Sequence, residues 1–288
     1  MQVITIPVAD RPECKFALES AFDISRGLSA NVVGYHVRPH QKETGGSSKG
    51  TPLKLLNFDE VKLPTSKKQI DLDSKAARRL FGKLAEEHDY KIERRPKLNR
   101  KQGTAIWHEM VGSMGRIMSI VGPMSDLLVV SRPRKRSSAR ARAFMLSALL
   151  QSSRPVLVLP QKRSSIIGQR ALIAWNQSIE AANAVAAALP ILRTAEEVCV
   201  VCCGSDSRSG PKVRHVQEYL RHWGIKSQRM VTPGRDVADE LLAAYEQMDA
   251  NYLVAGAYSR GHLRETIFGG VTEHLLERTS IPLLLLHQ

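Results

Sequence analysis

Two glycine-bearing segments near the end of the chain have residue types that could bind an anion. The first is Gly256-Ala-Tyr-Ser-Arg-Gly261, and Gly269-Gly270-Val271-Thr272 begins eight residues after it ends. Glycines let backbone amides approach a polyphosphate closely, and a helix that begins at the second segment adds a favourable dipole. Arg260 and Arg264 could neutralise phosphate charge. Loops after parallel strands also use glycine for turning alone, so the spacing by itself leaves both interpretations open.

No arrangement of residues in the sequence indicates catalysis or metal binding. The nine histidines are scattered, and His262 is the one beside Arg260 in the glycine-bearing loop. The sequence contains no GxSxG motif, no P-loop lysine and no pair of magnesium-binding carboxylates that can be placed. Cys199 and Cys202 have CxxC spacing, but alternation along an apolar strand directs them to opposite faces. We predict no catalytic residue and no metal site, and slow ATP hydrolysis stays open.

The hydrophobic pattern alternates strands and helices along the whole chain. Short apolar runs predict strands at residues 3–8, 31–37, 126–131, 155–159, 170–175, 197–202, 227–231, 252–255 and 281–286. Helical periodicity predicts helices at residues 13–27, 73–89, 138–151, 179–192, 211–223, 236–248 and 271–278. Strands that are apolar throughout and alternate with helices predict parallel sheets covered on both faces. Ligands of such sheets bind outside the carboxyl ends of the strands, at the point where strand order reverses.

The two halves of the chain end in similar sequences. Residues 153–160 read SRPVLVLP and residues 280–286 read SIPLLLL, so each last strand follows a helix and begins near a proline. This repeat predicts two α/β domains, residues 1–162 and 167–288, each a mostly parallel five-stranded sheet flanked by helices. A polar stretch rich in glycine and serine indicates an insertion near residues 40–70 of the first domain.

Positive charge is concentrated in the first half of the chain. Residues 1–165 contain 30 Lys and Arg against 15 Asp and Glu, whereas residues 166–288 contain 12 and 13. The densest basic clusters are residues 132–136 and 94–101. They favour either an anionic partner or a solvated face that only aids solubility. No aromatic residues lie among the arginines, so the stacking platform of single-strand nucleic-acid binders is not indicated.

Composition is that of an ordinary globular protein. Of the 288 residues, 43% are hydrophobic and 24% are charged, and no apolar run reaches the length of a membrane span. The first residues lack the basic start and long apolar stretch of a signal peptide, and four cysteines are too few for a disulfide scaffold. We therefore expect a cytoplasmic protein with no membrane association.

The flanks of the glycine loop resemble the universal stress protein family, especially bacterial members with two domains in tandem. The resemblance rests on LVAGAY at residues 253–258, LRETIFGGVTEHLL at 263–276 and ALIAWNQSIEAANAVAAALPIL at 171–192. It is strong over residues 170–288 and weaker over residues 1–39 and 126–160. It implies two tandem units of the adenine nucleotide α hydrolase-like fold.

The resemblance also implies an adenine nucleotide site for ATP or AMP in the second half. Carried over residue by residue, its contacts are Ala174, Asn176, Gly256, Ser259, Gly269, Gly270, Val271 and Thr272. The sequence departs from the family motif, Gly-x2-Gly-x9-Gly-Ser/Thr, because Ser259 replaces the second glycine and Gly270 replaces the Ser/Thr. Asn176 and, in the first half, Ala9 replace the family aspartate. Ser131-Arg-Pro-Arg134 stands where the first half would carry its glycine loop, so no family-type nucleotide site is expected there.

Two function classes follow from these observations. One is a stress-response protein that binds adenine nucleotide in its second half. The other is an adaptor without nucleotide, which would engage an anionic macromolecule through Arg132, Arg134, Lys135 and Arg136. Family members often pair the last strands of two units, so Val156–Leu159 and Leu283–Leu286 are expected to pair within the chain as a pseudo-dimer, which leaves room for a further homodimer.

Overall fold

The part of the chain that the structure describes forms one mostly parallel, eleven-stranded sheet with helices on both faces, which confirms the predicted α/β class. A computed structural model describes residues 1–38, 66–96, 102–133, 139–161, 167–205, 210–257 and 270–287. The predicted insertion near residues 40–70 lies mostly outside these ranges, and residues 67–70 begin a helix instead. No helix in the described ranges is both long enough and apolar enough to cross a membrane.

The first half contributes six strands and four helices within the described ranges. The strands are β1 (Val3–Pro7), β2 (Asn31–Arg38), β3 (Ile92–Glu93), β4 (Ala105–Val111), β5 (Leu127–Ser131) and β6 (Val156–Leu159). The helices are α1 (Pro12–Leu28), α2 (Lys67–Glu87), α3 (Met114–Val121) and α4 (Ala139–Gln151). Six strands replace the five predicted, because β3 and β4 extend the sheet beyond β2.

The second half contributes the predicted five strands, with four helices. The strands are β7 (Arg170–Ala174), β8 (Glu197–Cys203), β9 (Gln228–Thr232), β10 (Tyr252–Ala257) and β11 (Leu283–His287). The helices are α5 (Ile179–Leu192), α6 (Val213–His222), α7 (Val237–Gln247) and α8 (Gly270–Arg278). Across the whole sheet the strand order is β3-β4-β2-β1-β5-β6-β11-β10-β7-β8-β9.

Two apolar layers cover the faces of this sheet. Buried residues of α1, α2, α5 and α6 pack on one face, and those of α3, α4, α7 and α8 pack on the other. Alternation along β8 directs Cys202 into the first layer and Cys199 into the second, as predicted. Neither thiol forms a disulfide and both are buried, so they belong to the packed core.

The two halves join through β6 and β11, the one antiparallel pairing in the described sheet. Leu283, Leu284 and Leu285 pair with Val158, Leu157 and Val156, and we call this pairing the seam. All six side chains are at most 1% exposed. Because the other described strand pairs are parallel, the strands of the two halves run in opposite directions. Their carboxyl ends therefore lie at opposite edges of the sheet.

Arg132 lies at the seam, which corrects its predicted place on a basic surface. Its side chain crosses to the second half, where the guanidinium donates to the Ile281 carbonyl oxygen at 2.9 Å and to Thr279 Oγ1 at 3.3 Å. The residue is 7% exposed, and burial lowers the pKa of the guanidinium to about 10. Arg132 is therefore unavailable to an external anion, and Arg134, Lys135 and Arg136 lie outside the described residues.

Candidate functional site at the carboxyl edge of the second half

Strand order reverses between β7 and β10 in the second half. The chain passes from β7 outward to β8 and β9, and then returns to β10 on the other side of β7. Such a reversal leaves a crevice at the carboxyl ends of the two central strands. Because β10 and β11 are parallel, α8 between them must run back along the sheet, so its amino terminus begins at this edge. The amino terminus of α5, which follows β7, lies at the same edge.

Asn176 lies in the turn that joins β7 to α5 and is exposed. Its Oδ1 accepts a hydrogen bond from the Ser178 backbone amide at 3.2 Å, and Ser178 Oγ accepts one from the Ala181 amide at 3.1 Å. The oxygen of Asn176 thus shapes the turn, whereas its amide nitrogen makes no hydrogen bond within the described ranges. Ala174 is half-buried at the end of β7. Because its amide nitrogen is not used in the turn, Asn176 can donate a hydrogen bond to a ligand at this edge.

Gly256 packs against the start of α5, and this close contact explains why the position requires a glycine. A Cβ at this position would lie 2.6 Å from the Glu180 carbonyl carbon and 2.7 Å from the Ala181 nitrogen. Only a residue without a side chain lets β10 approach the helix this closely. Gly256 therefore fixes the distance between β10 and α5, a role that the sequence motif did not suggest.

The first residues of α8 are open to solvent. Gly270 and Val271 are exposed and Thr272 is half-buried, and a Cβ at Gly270 would meet no atom within 4 Å. The first amides of a helix lack partners within it and attract anions. The remaining predicted contacts, Ser259 and Gly269, lie outside the described residues, as do Arg260, His262 and Arg264. The predicted contact residues that the structure describes thus lie on β7 and the turn after it, on β10 and on α8, at one edge of the sheet.

At the same edge of the sheet, a carboxylate accepts hydrogen bonds from the loop that follows β9. Sequence analysis did not predict this interaction. Glu240 of α7 accepts hydrogen bonds from the Gly234 and Arg235 amides, both at 2.7 Å, and from the Thr232 hydroxyl. The Thr232 bond and, after it, the backbone amides lower the pKa of Glu240. Gly234, at a φ of +77°, turns the chain after β9 and lies against Gly204. The Glu240 carboxylate therefore fixes the loop that follows β9.

We expect Glu240→Gln to loosen this loop, because an amide has one acceptor oxygen and presents its NH2 group to backbone donors. A carboxylate whose pKa is lowered on folding stabilises the protein above its unfolded pKa, and this stabilisation disappears as pH falls through the folded value. The variant should therefore be less stable than the wild type at neutral pH and equally stable in acid. Urea unfolding from pH 7 to pH 3, with hydrogen exchange at residues 234–236, measures both effects. Glu246→Gln, an exposed change on the same helix, is the control, and an equal loss in both variants would contradict the prediction.

A cavity of about 270 Å³ lies at the equivalent place in the first half. It opens beyond the carboxyl ends of β1, β2 and β5, where the order of the first-half strands reverses. Its walls include apolar side chains such as Val37, Val130 and Phe144, and the carboxyl-bearing Glu13. We call it the first-half cavity. Sequence analysis did not predict it, because the expectation for this half rested on the missing glycine loop.

Comparison with known proteins supports this architecture. Residues 204–287 match the model of the universal stress protein family. The chain is similar to a universal stress protein from Archaeoglobus fulgidus DSM 4304, with a TM-score of 0.70 and 14% identity over 99% of this chain and 98% of that one. It is also similar to a universal stress protein from Pseudomonas aeruginosa UCBPP-PA14, with a TM-score of 0.58 and 15% identity over 100% and 93%. No curated protein sequence matches the chain. At these identities the structural likenesses establish the fold.

Proposed function

We propose that this chain is a universal stress protein, as the match of residues 204–287 to the model of that family indicates, and that its second half binds an adenine nucleotide, ATP or AMP. Family membership supports the role in the stress response. The proposal that the ligand is an adenine nucleotide goes further, and it is supported by the geometry of one edge of the second half.

The observation that carries this proposal is the exposed amino terminus of α8 beside the reversal of strand order. Its first amides, at Gly270, Val271 and Thr272, are the groups that phosphate oxygens prefer at a helix start. Asn176, on the neighbouring strand connection, offers an amide donor at the same edge. Gly256 keeps β10 against α5 and so holds the two sides of the crevice at a fixed distance. These features support phosphate binding by the backbone, without a catalytic base.

Substitution at Gly270 tests the site without disturbing the fold. The position is exposed and a side chain there meets nothing within 4 Å, so folding should tolerate the change. We expect Gly270→Asp to weaken ATP and AMP binding by about tenfold or more, through repulsion between carboxylate and phosphate. Gly270→Asn has nearly the same shape without the charge and should bind far more tightly than the Asp variant.

Titration calorimetry of the wild type and both variants provides the measurement. Wild-type protein that gives no heat with either nucleotide would refute the proposal. So would equal affinities for the Asp and Asn variants, since the α8 terminus would then lie away from the phosphates. Mass spectrometry of small molecules released from the purified protein gives an independent check on the ligand.

A further inference from the structure

We propose that the first-half cavity binds a small organic cation, an amine with a short apolar body, and that Glu13 is its counter-ion. This site is separate from the proposed nucleotide site. Because the strands of the two halves run antiparallel across the seam, the two sites open at opposite edges of the sheet.

Glu13 is a buried acidic residue in the wall of the first-half cavity. It lies in the first turn of α1, lines the first-half cavity and is only 6% exposed. Its carboxylate receives no hydrogen bond or ion pair from the residues that the structure describes. The amino terminus of α1 offers a favourable dipole, but a buried carboxylate ordinarily needs a cation or several donors as well. Because Glu13 lines the cavity, a ligand bound there can supply the missing donors.

Other groups at the cavity reinforce the preference for positive charge. Asp10 and Asp73 also line it, against one arginine, Arg11. His36 is buried, and its Nδ1 lies 2.9 Å from the Val8 carbonyl oxygen. Since a carbonyl oxygen only accepts, Nδ1 carries the proton of this hydrogen bond. The walls therefore offer chiefly acceptors and negative charge.

Among the residues that the structure describes, few groups at this cavity could bind phosphate. Pro12 occupies the first position of α1 and has no backbone N–H, while the Cys14 and Lys15 amides donate to the Arg11 carbonyl oxygen. The strand β5 ends at Ser131, and the next side chain, Arg132, turns away to the seam. Burial raises the pKa of the Cys14 thiol, so this group stays neutral. A polyphosphate would meet carboxylates here with few amide donors.

Cavity size and apolar walls limit the cation to a small one. A volume of about 270 Å³ lies just below the range of about 300–1,000 Å³ found for drug-sized ligands. Val37, Val130 and Phe144 supply an apolar wall. An ammonium group on a short hydrocarbon or single aromatic ring satisfies both the carboxylate and this wall.

Three probes of similar shape and different charge test the proposal. They are 2-phenylethylamine, 2-phenylethanol and phenylacetate, titrated into the full chain by calorimetry and by ligand-observed NMR. We expect the amine to bind at least about tenfold more tightly than the alcohol, because a charge-assisted hydrogen bond is stronger than a neutral one. Phenylacetate should bind most weakly. Absence of amine binding, or phenylacetate binding as tightly as the amine, would overturn the proposal.

Glu13→Gln then identifies the counter-ion. The variant should lose about tenfold or more in amine affinity and keep its affinity for the alcohol. Glu19→Gln, which changes a carboxylate of the same helix paired with Lys15, is the matched control and should bind the amine like the wild type. If Glu13→Gln is unfolded by circular dichroism, Asp73→Asn replaces it, with a smaller loss expected. Unchanged amine affinity in the folded variant would overturn the assignment.

Competition with ATP separates this proposal from the nucleotide site. Saturating ATP should leave amine binding unchanged, since the two sites lie at opposite edges. Displacement of the amine by ATP would make the first-half cavity a nucleotide site and would overturn the proposal. A chain that binds the amine but not ATP would leave this inference standing and refute only the nucleotide site.

Discussion

Replacement of Gly256 by alanine should lower the free energy of unfolding by about 3 kcal/mol, at the upper end of typical overpacking effects. The added Cβ would lie 2.6 Å from the Glu180 carbonyl carbon, closer than carbon atoms approach one another without covalent bonding. The carbonyl carbon belongs to the main chain and the backbone fixes the position of the Cβ, so neither a rotamer change nor a flexible side-chain tip can relieve the clash. Either β10 or the start of α5 must move. Urea unfolding followed by circular dichroism measures the loss.

The same change should also weaken the proposed nucleotide site, because Ser178, which caps the start of α5, holds Asn176 through its backbone amide. Gly27→Ala is the matched control, since a Cβ there meets nothing within 4 Å and the position lies inside α1. Alanine in a helix is favoured over glycine by about 0.5–1 kcal/mol, so the control should be neutral or more stable. Equal stability of the Gly256→Ala variant and the wild type would show that α5 is not held by this contact.

The second large effect concerns the seam. Leu284→Asp places a carboxylate where the leucine is 0% exposed and pairs with Leu157 of the other half. Leu284 packs within the first apolar layer, and an unpaired buried charge is among the most destabilising substitutions known, at about 5 kcal/mol. Because β6 and β11 belong to one continuous sheet, we expect both halves to lose their native structure together.

The tryptophan indole N–H signals report on each half separately. Trp107 lies in β4 of the first half, and Trp175 follows β7 in the second, where its Nε1 donates to the Pro211 carbonyl oxygen at 2.8 Å. In Leu284→Asp both signals should lose their native positions in NMR spectra. Val231→Asp introduces the same group at a residue of β9 that is 48% exposed, and it should leave both signals native. A native Trp107 signal beside a lost Trp175 signal would show that the halves fold independently.

Much of the second half could be predicted from sequence because its strands are buried on both faces. A run such as Glu197–Cys203 is apolar for nearly its whole length, so it indicates a central parallel strand without ambiguity. Helices α5 and α7 are preceded by Ser178 and Asp236, whose side chains cap them by accepting hydrogen bonds from backbone amides. Strong local signals and tertiary packing agree at these elements.

The first half was harder to predict because its outer strands carry mixed faces. Ala105–Val111 alternates buried and exposed residues irregularly and includes His108 and Glu109, so neither strand periodicity nor a continuous apolar run identifies β4. Arg132 was predicted to lie on the surface because runs of basic residues are usually exposed. Only the tertiary structure shows that its side chain turns inward to the seam. The first-half cavity arises from the meeting of β1, β2 and β5, which no single segment of sequence encodes.

The seam has a consequence for how the two halves can change over time. In a two-fold dimer of identical chains every substitution at the interface appears twice, so a residue that packs well at one position must also pack well at the symmetry-related position. Here β6 and β11 are separate stretches of one chain, and each substitution appears once. Arg132 is an example, because its side chain crosses from the first half to the Ile281 carbonyl oxygen of the second half and needs no equivalent contact in the reverse direction. Substitutions can therefore change the carboxyl edge of one half while the other half and the interface that joins them stay as they are.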